Sequence, residues 1–81
     1  MSDRDISKFS NDLDQIYIPD YDGSNNPIYI CKARPGALTS EPLWQIRKCT
    51  WTGTNLNTLK WAEGSNAYIF IADDRGSYTF T

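Results

Sequence analysis

Leu43-Trp44-Gln45-Ile46-Arg47-Lys48-Cys49-Thr50-Trp51-Thr52 is the longest run in the chain without glycine or proline that is also rich in aromatic and β-branched residues. Such a run reads as a strand. Successive side chains of a strand point to opposite faces, so Trp44 and Ile46 share one parity while Cys49 and Trp51 share the other. A regular strand with one buried face cannot hide both pairs there. A β-bulge near Arg47-Lys48 would re-phase the alternation, and bulges are how small sheets bend toward barrels or sandwiches.

Outward from this strand, the chain continues as short runs separated by turn formers. Gly53-Thr54-Asn55 turns it, and Leu56 to Ala62 returns with Leu59 and Trp61 on one face. Glu63-Gly64-Ser65-Asn66 is a further turn. Ala67 to Ala72 is apolar but too short for its period to decide its type. Asp73-Asp74-Arg75-Gly76 then leads into the alternating run Ser77 to Thr81. On the other side, Ile28 to Arg34 places Tyr29, Cys31 and Ala33 on one face and ends at Pro35-Gly36. Before it, residues 20–27 (DYDGSNNP) are dense in turn formers, and Gln15 to Ile18 meets Pro19 as a short edge strand. Five to six short strands with turns every 8–12 residues predict an all-β fold, a small antiparallel sandwich or barrel.

Residues 14–81 form the single small β domain of this scheme, and residues 1–13 an N-terminal arm. Ile6, Phe9 and Leu13 recur in the arm at helical spacing, with Ser2 or Asp3 available as a cap. A helix this short is marginal unless something receives its apolar stripe. Charge is also distributed unevenly along the chain. Residues 1–22 carry six acids against Arg4 and Lys8, a net −4, whereas residues 23–81 carry four acids against six bases, a net +2. An acidic leader ahead of a mildly basic body suits an arm that folds back or docks on a neighbour.

A chain of 81 residues has a thin stability margin, usually widened by disulfides, a metal or oligomerisation. Cys31 and Cys49 allow one bridge at most, and each sits in a strand-like run where a thiol behaves as a small hydrophobe. They are expected to be free. The sequence has no histidine, and two cysteines 18 positions apart lack the close spacing of a zinc site, so no metal or cofactor is expected. Oligomerisation or attachment to a larger assembly is what is left. No apolar run approaches the roughly 20 residues that span a bilayer. MSDRDISKFSNDLDQ is polar and acidic, unlike a secretory signal or transit peptide, so a soluble protein made inside the cell is expected.

The residues give little support to catalysis. Histidine, the usual base of serine and cysteine hydrolases, is missing, and no glycine-rich phosphate loop is present. Asp73 and Asp74 in a turn are expected to bond backbone N–H groups or pair with Arg75 beside them. Asp20 to Asn25 hints at a calcium loop, but the glycine and glutamate positions of an EF-hand hold Asn25 and Cys31, so it reads as a turn. Nucleic-acid binding draws more support. Lys32, Arg34, Arg47, Lys48 and Lys60 lie on or beside strands that also carry Tyr29, Trp44, Trp51 and Trp61, as on small barrels that hold single strands. Against it stands a net charge of −2 with an isoelectric point near 4.8, where phosphate tracking needs a positive stripe.

Five short phrases carry a resemblance: Lys32-Ala33-Arg34-Pro35-Gly36; Thr39-Ser40-Glu41; Trp44-Gln45-Ile46-Arg47-Lys48; Trp61-Ala62-Glu63-Gly64; and Asp73-Asp74-Arg75-Gly76-Ser77-Tyr78-Thr79-Phe80. In that order, over roughly residues 28–81, the chain resembles small head, neck or tail structural proteins of tailed bacteriophages. Two departures stand at the last phrase. Ala72 replaces an expected aromatic and Gly76 an expected alanine, which points to a helical turn in place of a strand within residues 67–76. The resemblance implies a virion component, in many copies, whose partners are other virion proteins and which acts as a decoration protein or a neck or tail adaptor. Trp44, Trp51, Trp61, Tyr17 and Tyr78 are then expected as core or interface anchors, Asp74 and Arg75 as fixing the last turn, and Ile6, Phe9 and Leu13 as reaching a neighbour. The alternatives are a small β-barrel binding single-stranded nucleic acid and a phage-encoded inhibitor of one host protein. An enzyme is the least expected class.

Overall fold

The computed structural model describes residues 14–81; the arm with Ile6, Phe9 and Leu13 lies outside the described residues. Four strands form one antiparallel sheet: β1 (Gln15–Tyr17), β2 (Tyr29–Ala33), β3 (Gln45–Thr52) and β4 (Asn55–Trp61). They lie in the order β1-β2-β3-β4, a meander in which each strand pairs with its sequence neighbour. Two residues, Gly53 and Thr54, join β3 to β4, and Gly53 sits at φ 60°. A glycine in the first position of a two-residue hairpin loop takes this left-handed conformation without a Cβ clash. The loop before β2 closes on Asp22, whose carboxylate accepts the N–H groups of Ser24 (2.8 Å) and Asn26 (3.0 Å). Asn26 in turn donates to the Gly53 carbonyl, tying this loop to the hairpin.

Register assigns the faces. Tyr17 stands opposite Cys31, and Cys31 opposite Ile46. These three, with Tyr29, Ala33 and Trp44, belong to the inner face, where Cys31, Ala33, Trp44 and Ile46 are fully buried. Ala37, Ala62, Phe70 and Ala72 complete the core, and Tyr17, Tyr29, Leu43, Tyr78 and Phe80 pack around it. Trp44 is held at both ends: its indole N–H donates to the Leu38 carbonyl at 2.9 Å, and its ring meets Tyr17 with centroids 6.0 Å apart.

The bulge expected at Arg47-Lys48 does not form, since β3 pairs regularly there with both neighbours. The register instead shifts between Thr50 and Trp51, which pair with Thr58 and Leu56 and leave Asn57 as the extra residue, on β4. Trp44 and Ile46 therefore face inward while Cys49 and Trp51 face outward, and both faces of β3 are apolar. One face did not have to hold both pairs.

The two last expected strands also take another form. Within residues 67–72 only Phe70 pairs, in a single bridge with Trp44, and near the C-terminal end only Phe80 pairs, with Ala62. Between them Ala72–Ser77 is a 3-10 helix. Burying Phe70 and Ala72 in the same core brings the chain to the inner face, where Asp73 N–H reaches the Thr39 carbonyl at 3.0 Å. Asp73 and Asp74 in its first turn and Arg75 in its last agree with the helix dipole. The described residues thus give four strands rather than five or six, in one sheet rather than a closed barrel or a two-sheet sandwich. The C-terminal coil, not a second sheet, covers the inner face.

Candidate functional site

The outer face of the sheet is the main unexplained surface. Ladder pairs build it across three strand boundaries: Ile16 opposite Lys32, Ile30 opposite Arg47, Cys49 opposite Leu59, Arg47 opposite Trp61, and Trp51 opposite Leu56. No strand or helix of the described residues lies across it. Ile16, Leu56 and Leu59 are 62%, 49% and 44% exposed, whereas the main buried cluster lies on the inner face. An antiparallel sheet with one solvated face ordinarily alternates apolar-in with polar-out. Here the solvent side carries isoleucines, leucines and two tryptophans, and contiguous apolar surface of this kind marks a contact site.

Two polar features shape that face. Arg47 lies over the ring of Trp61, its guanidinium carbon 5.4 Å from the centroid, and its buried Nε has no hydrogen-bond partner among the described residues. A buried guanidinium nitrogen without an acceptor is costly. Trp51 is half-buried and anchored, donating its indole N–H to the Pro27 carbonyl at 2.8 Å. Cys49 is buried but outside the main core cluster, enclosed on the outer face beside its ladder partner Leu59. Cys31 is on the opposite face, so the two thiols cannot meet, and both are free. Burial raises the pKa of each thiol, that of Cys31 to about 11.

At the far end of the inner face, Lys48 and Lys60 stand directly opposite each other. They border an open cavity of about 220 Å³ with Thr50, Thr58, Tyr78 and Phe80. The Lys48 ammonium lies 5.7 Å from the Tyr29 ring and 5.9 Å from Phe80. Like charges directly opposite are unfavourable, and the ring faces offset part of that. A second cavity, about 240 Å³, opens between Asp14, Arg34, Leu43 and Tyr68. Among the described residues no three His, Cys, Asp or Glu side chains gather as a metal group.

The anchors named from sequence divide between the faces. Trp44 is core, Trp51 and Trp61 are half-buried on the outer face, and Tyr17 and Tyr78 border the core. Tyr78 meets Phe70 edge-on at 5.0 Å, and its hydroxyl accepts the Ile71 N–H. Arg75 pairs with Asp20, 55 positions away, at 2.8 Å rather than with its neighbouring acids. It also donates to the Ala72 carbonyl and lies over Tyr29. The Asp20 hydrogen bond raises its pKa. The Asp74 side chain is exposed, and its carbonyl accepts the Ser77 hydroxyl. Sequence reasoning missed Asp20 as the partner of Arg75, and Ile30, Leu56 and Arg47 as one surface with Trp61. The opposite parities within β3 were the available signal for that surface. Asp22, the centre of the hinted calcium loop, is occupied by N–H donors, chiefly those of Asn26 and then Ser24, which lower its pKa. Compared with models of known families, with curated proteins and with solved structures, the chain matches none.

Proposed function

We propose that this chain works by protein–protein contact through the outer face of its sheet, as a multi-copy structural component of a tailed-phage virion. The observation that carries the proposal is the apolar outer face, two tryptophans and four aliphatic side chains with no described element over it. Half-exposed Leu59 and Leu56 beside anchored Trp51 and Trp61 make a surface of the kind that supplies binding energy. The five ordered phrases of the sequence supply the setting of a decoration protein or a neck or tail adaptor. On this reading the sandwich expected from the sequence is completed by added polypeptide, and residues 1–13 act as an arm. Catalysis has no part in it. The test is the copy number of the chain in purified particles, by quantitative mass spectrometry against the major capsid protein. A simple ratio to the capsid protein points to the shell and about a dozen copies to the neck or tail, while absence refutes the proposal.

The lysine pair favours a second reading, single-stranded nucleic acid held at Lys48 and Lys60 with Tyr78 and Phe80 beside it. Binding that collapses as salt is raised would support it. A phage-encoded inhibitor would instead yield a single host partner on capture and have no place in particles.

A further inference from the structure

We propose that the cavity at the far end of the inner face binds a phosphate monoester carried on an apolar group, its phosphoryl oxygens held between Lys48 and Lys60. The site goes beyond the proposed assembly role and does not depend on it.

Two like charges face each other there without a described carboxylate to neutralise them. Lys48 and Lys60 are ladder partners across β3 and β4, so their Cβ atoms lie about 5 Å apart. The lining of the cavity, Lys48, Thr50, Thr58, Lys60, Tyr78 and Phe80, contains no acid. Among the described residues the ion pair is that of Asp20 with Arg75, so neither lysine has an acidic partner there. An anion taken between the two ammonium groups removes their repulsion and gains a charge-assisted bond from each.

The remaining walls fit the same ligand. Thr50 and Thr58 stand opposite each other two residues from the lysines, and alternation puts them on the same face. Their hydroxyls bond to each other, which uses one hydroxyl proton and leaves the second free to donate. The Lys48 ammonium is held 5.7 Å from the Tyr29 ring and 5.9 Å from the Phe80 ring, so its position is set before a ligand arrives. Tyr78 and Phe80 supply an apolar wall. The cavity, about 220 Å³, is several times the roughly 30 Å³ that a water occupies in the liquid, which admits a phosphoryl group and part of its carrier.

Charge count selects the monoester. It carries about −1.5 to −2 at pH 7 and offers three acceptor oxygens, matching two ammonium groups and a hydroxyl. A phosphodiester brings one charge per phosphate and leaves the second lysine uncompensated. This distinguishes the site from the single-strand groove of the second reading.

The experiment titrates the full chain with phenyl phosphate, inorganic phosphate and dimethyl phosphate at constant ionic strength and pH 8, followed by nuclear magnetic resonance. Phenyl phosphate is expected to shift the Lys48, Thr50, Thr58 and Lys60 resonances saturably, while the Trp51 and Trp61 indole signals on the outer face stay in place. Inorganic phosphate should bind more weakly for want of the ring contact, and dimethyl phosphate should not saturate. Lys48→Met and Lys60→Met keep most of the side-chain stem and remove the charge, and each should weaken phenyl phosphate roughly tenfold. Shifts that sodium chloride reproduces, or that survive in both variants, overturn the proposal. Dimethyl phosphate binding as well as phenyl phosphate overturns it in favour of a nucleic-acid backbone. Equal affinity for phenyl and inorganic phosphate refutes the apolar carrier. Absence of the chain from particles would refute the virion setting without touching these results.

Discussion

Replacing Ile46 tests the assignment of the two faces at its centre. Its side chain is fully buried, opposite Cys31 on β2, and its carbonyl accepts the Ala62 N–H at 3.0 Å. The surrounding cluster is mainly small, with Cys31, Ala33 and Ala62, and Trp44 is pinned by its hydrogen bond to Leu38. Neither small nor pinned neighbours can swing into a hole. Ile46→Ala should therefore lie in the middle or upper part of the usual range for such truncations, about 3–4 kcal/mol, and Ile46→Val near 1 kcal/mol. A domain of this size has roughly 4–10 kcal/mol in total, so the alanine variant loses a third or more of it. At about 4–8 °C per kcal/mol, its Tm should fall by roughly 15–25 °C and that of Ile46→Val by about 4–8 °C. Urea and thermal unfolding followed by circular dichroism read both variants. A cost below about 1 kcal/mol for Ile46→Ala would refute the reasoning, because it would mean that Ile46 faces solvent and that the parity of β3 is reversed.

Arg75→Ala removes the contact with Asp20, the cap on the Ala72 carbonyl and the stacking on Tyr29, and should cost about 1–2 kcal/mol; Asp74→Ala should change little. Thermal melts compare the two, and equal costs would contradict the assigned pairing. Because the Cys31 thiol is raised to about 11 in the folded chain, its contribution is fully present below the unfolded value near 9 and is lost as pH rises through 11. Stability measured by urea between pH 9 and 11 should fall by on the order of 2 kcal/mol, and Cys31→Ala should flatten that fall. Lys48→Ala should not lower the Tm, since it relieves the like-charge pair with Lys60 at the loss of weak ring contacts. Oligonucleotide titrations at low and high salt should show no binding for either form. A salt-sensitive affinity lost with Lys48 would favour the second reading instead.

Much of the sheet was legible in the sequence, because its signals are local. Tyr29, Cys31 and Ala33 alternate cleanly, Gly53 supplies the hairpin turn, and Pro19 ends the first edge strand. The end of the chain was harder to read. Ser77 to Thr81 alternates like a strand, yet what fixes it is distant: the Asp20 pair with Arg75, the Thr39 carbonyl under Asp73 and the Trp44 bridge to Phe70. These tertiary contacts override a weak local preference. The candidate site was half visible. The conflicting parities of Trp44 and Trp51 pointed straight at a strand apolar on both faces, but the premise of one buried face turned that signal into a bulge. The register shift sits three residues further along, where Asn57 at the hairpin end can be extruded without disturbing the core.

The central claim, that the outer face joins this chain to a particle, is tested most directly by particles grown with Leu59→Asp beside wild type. Leu59 is half-exposed on that face and outside the core cluster, so the variant should fold, as circular dichroism will show. The account predicts that the wild-type chain is found in purified particles at a fixed copy number and that the folded variant is largely absent. Particles lacking the wild-type chain, or carrying the variant at the same number, would contradict it.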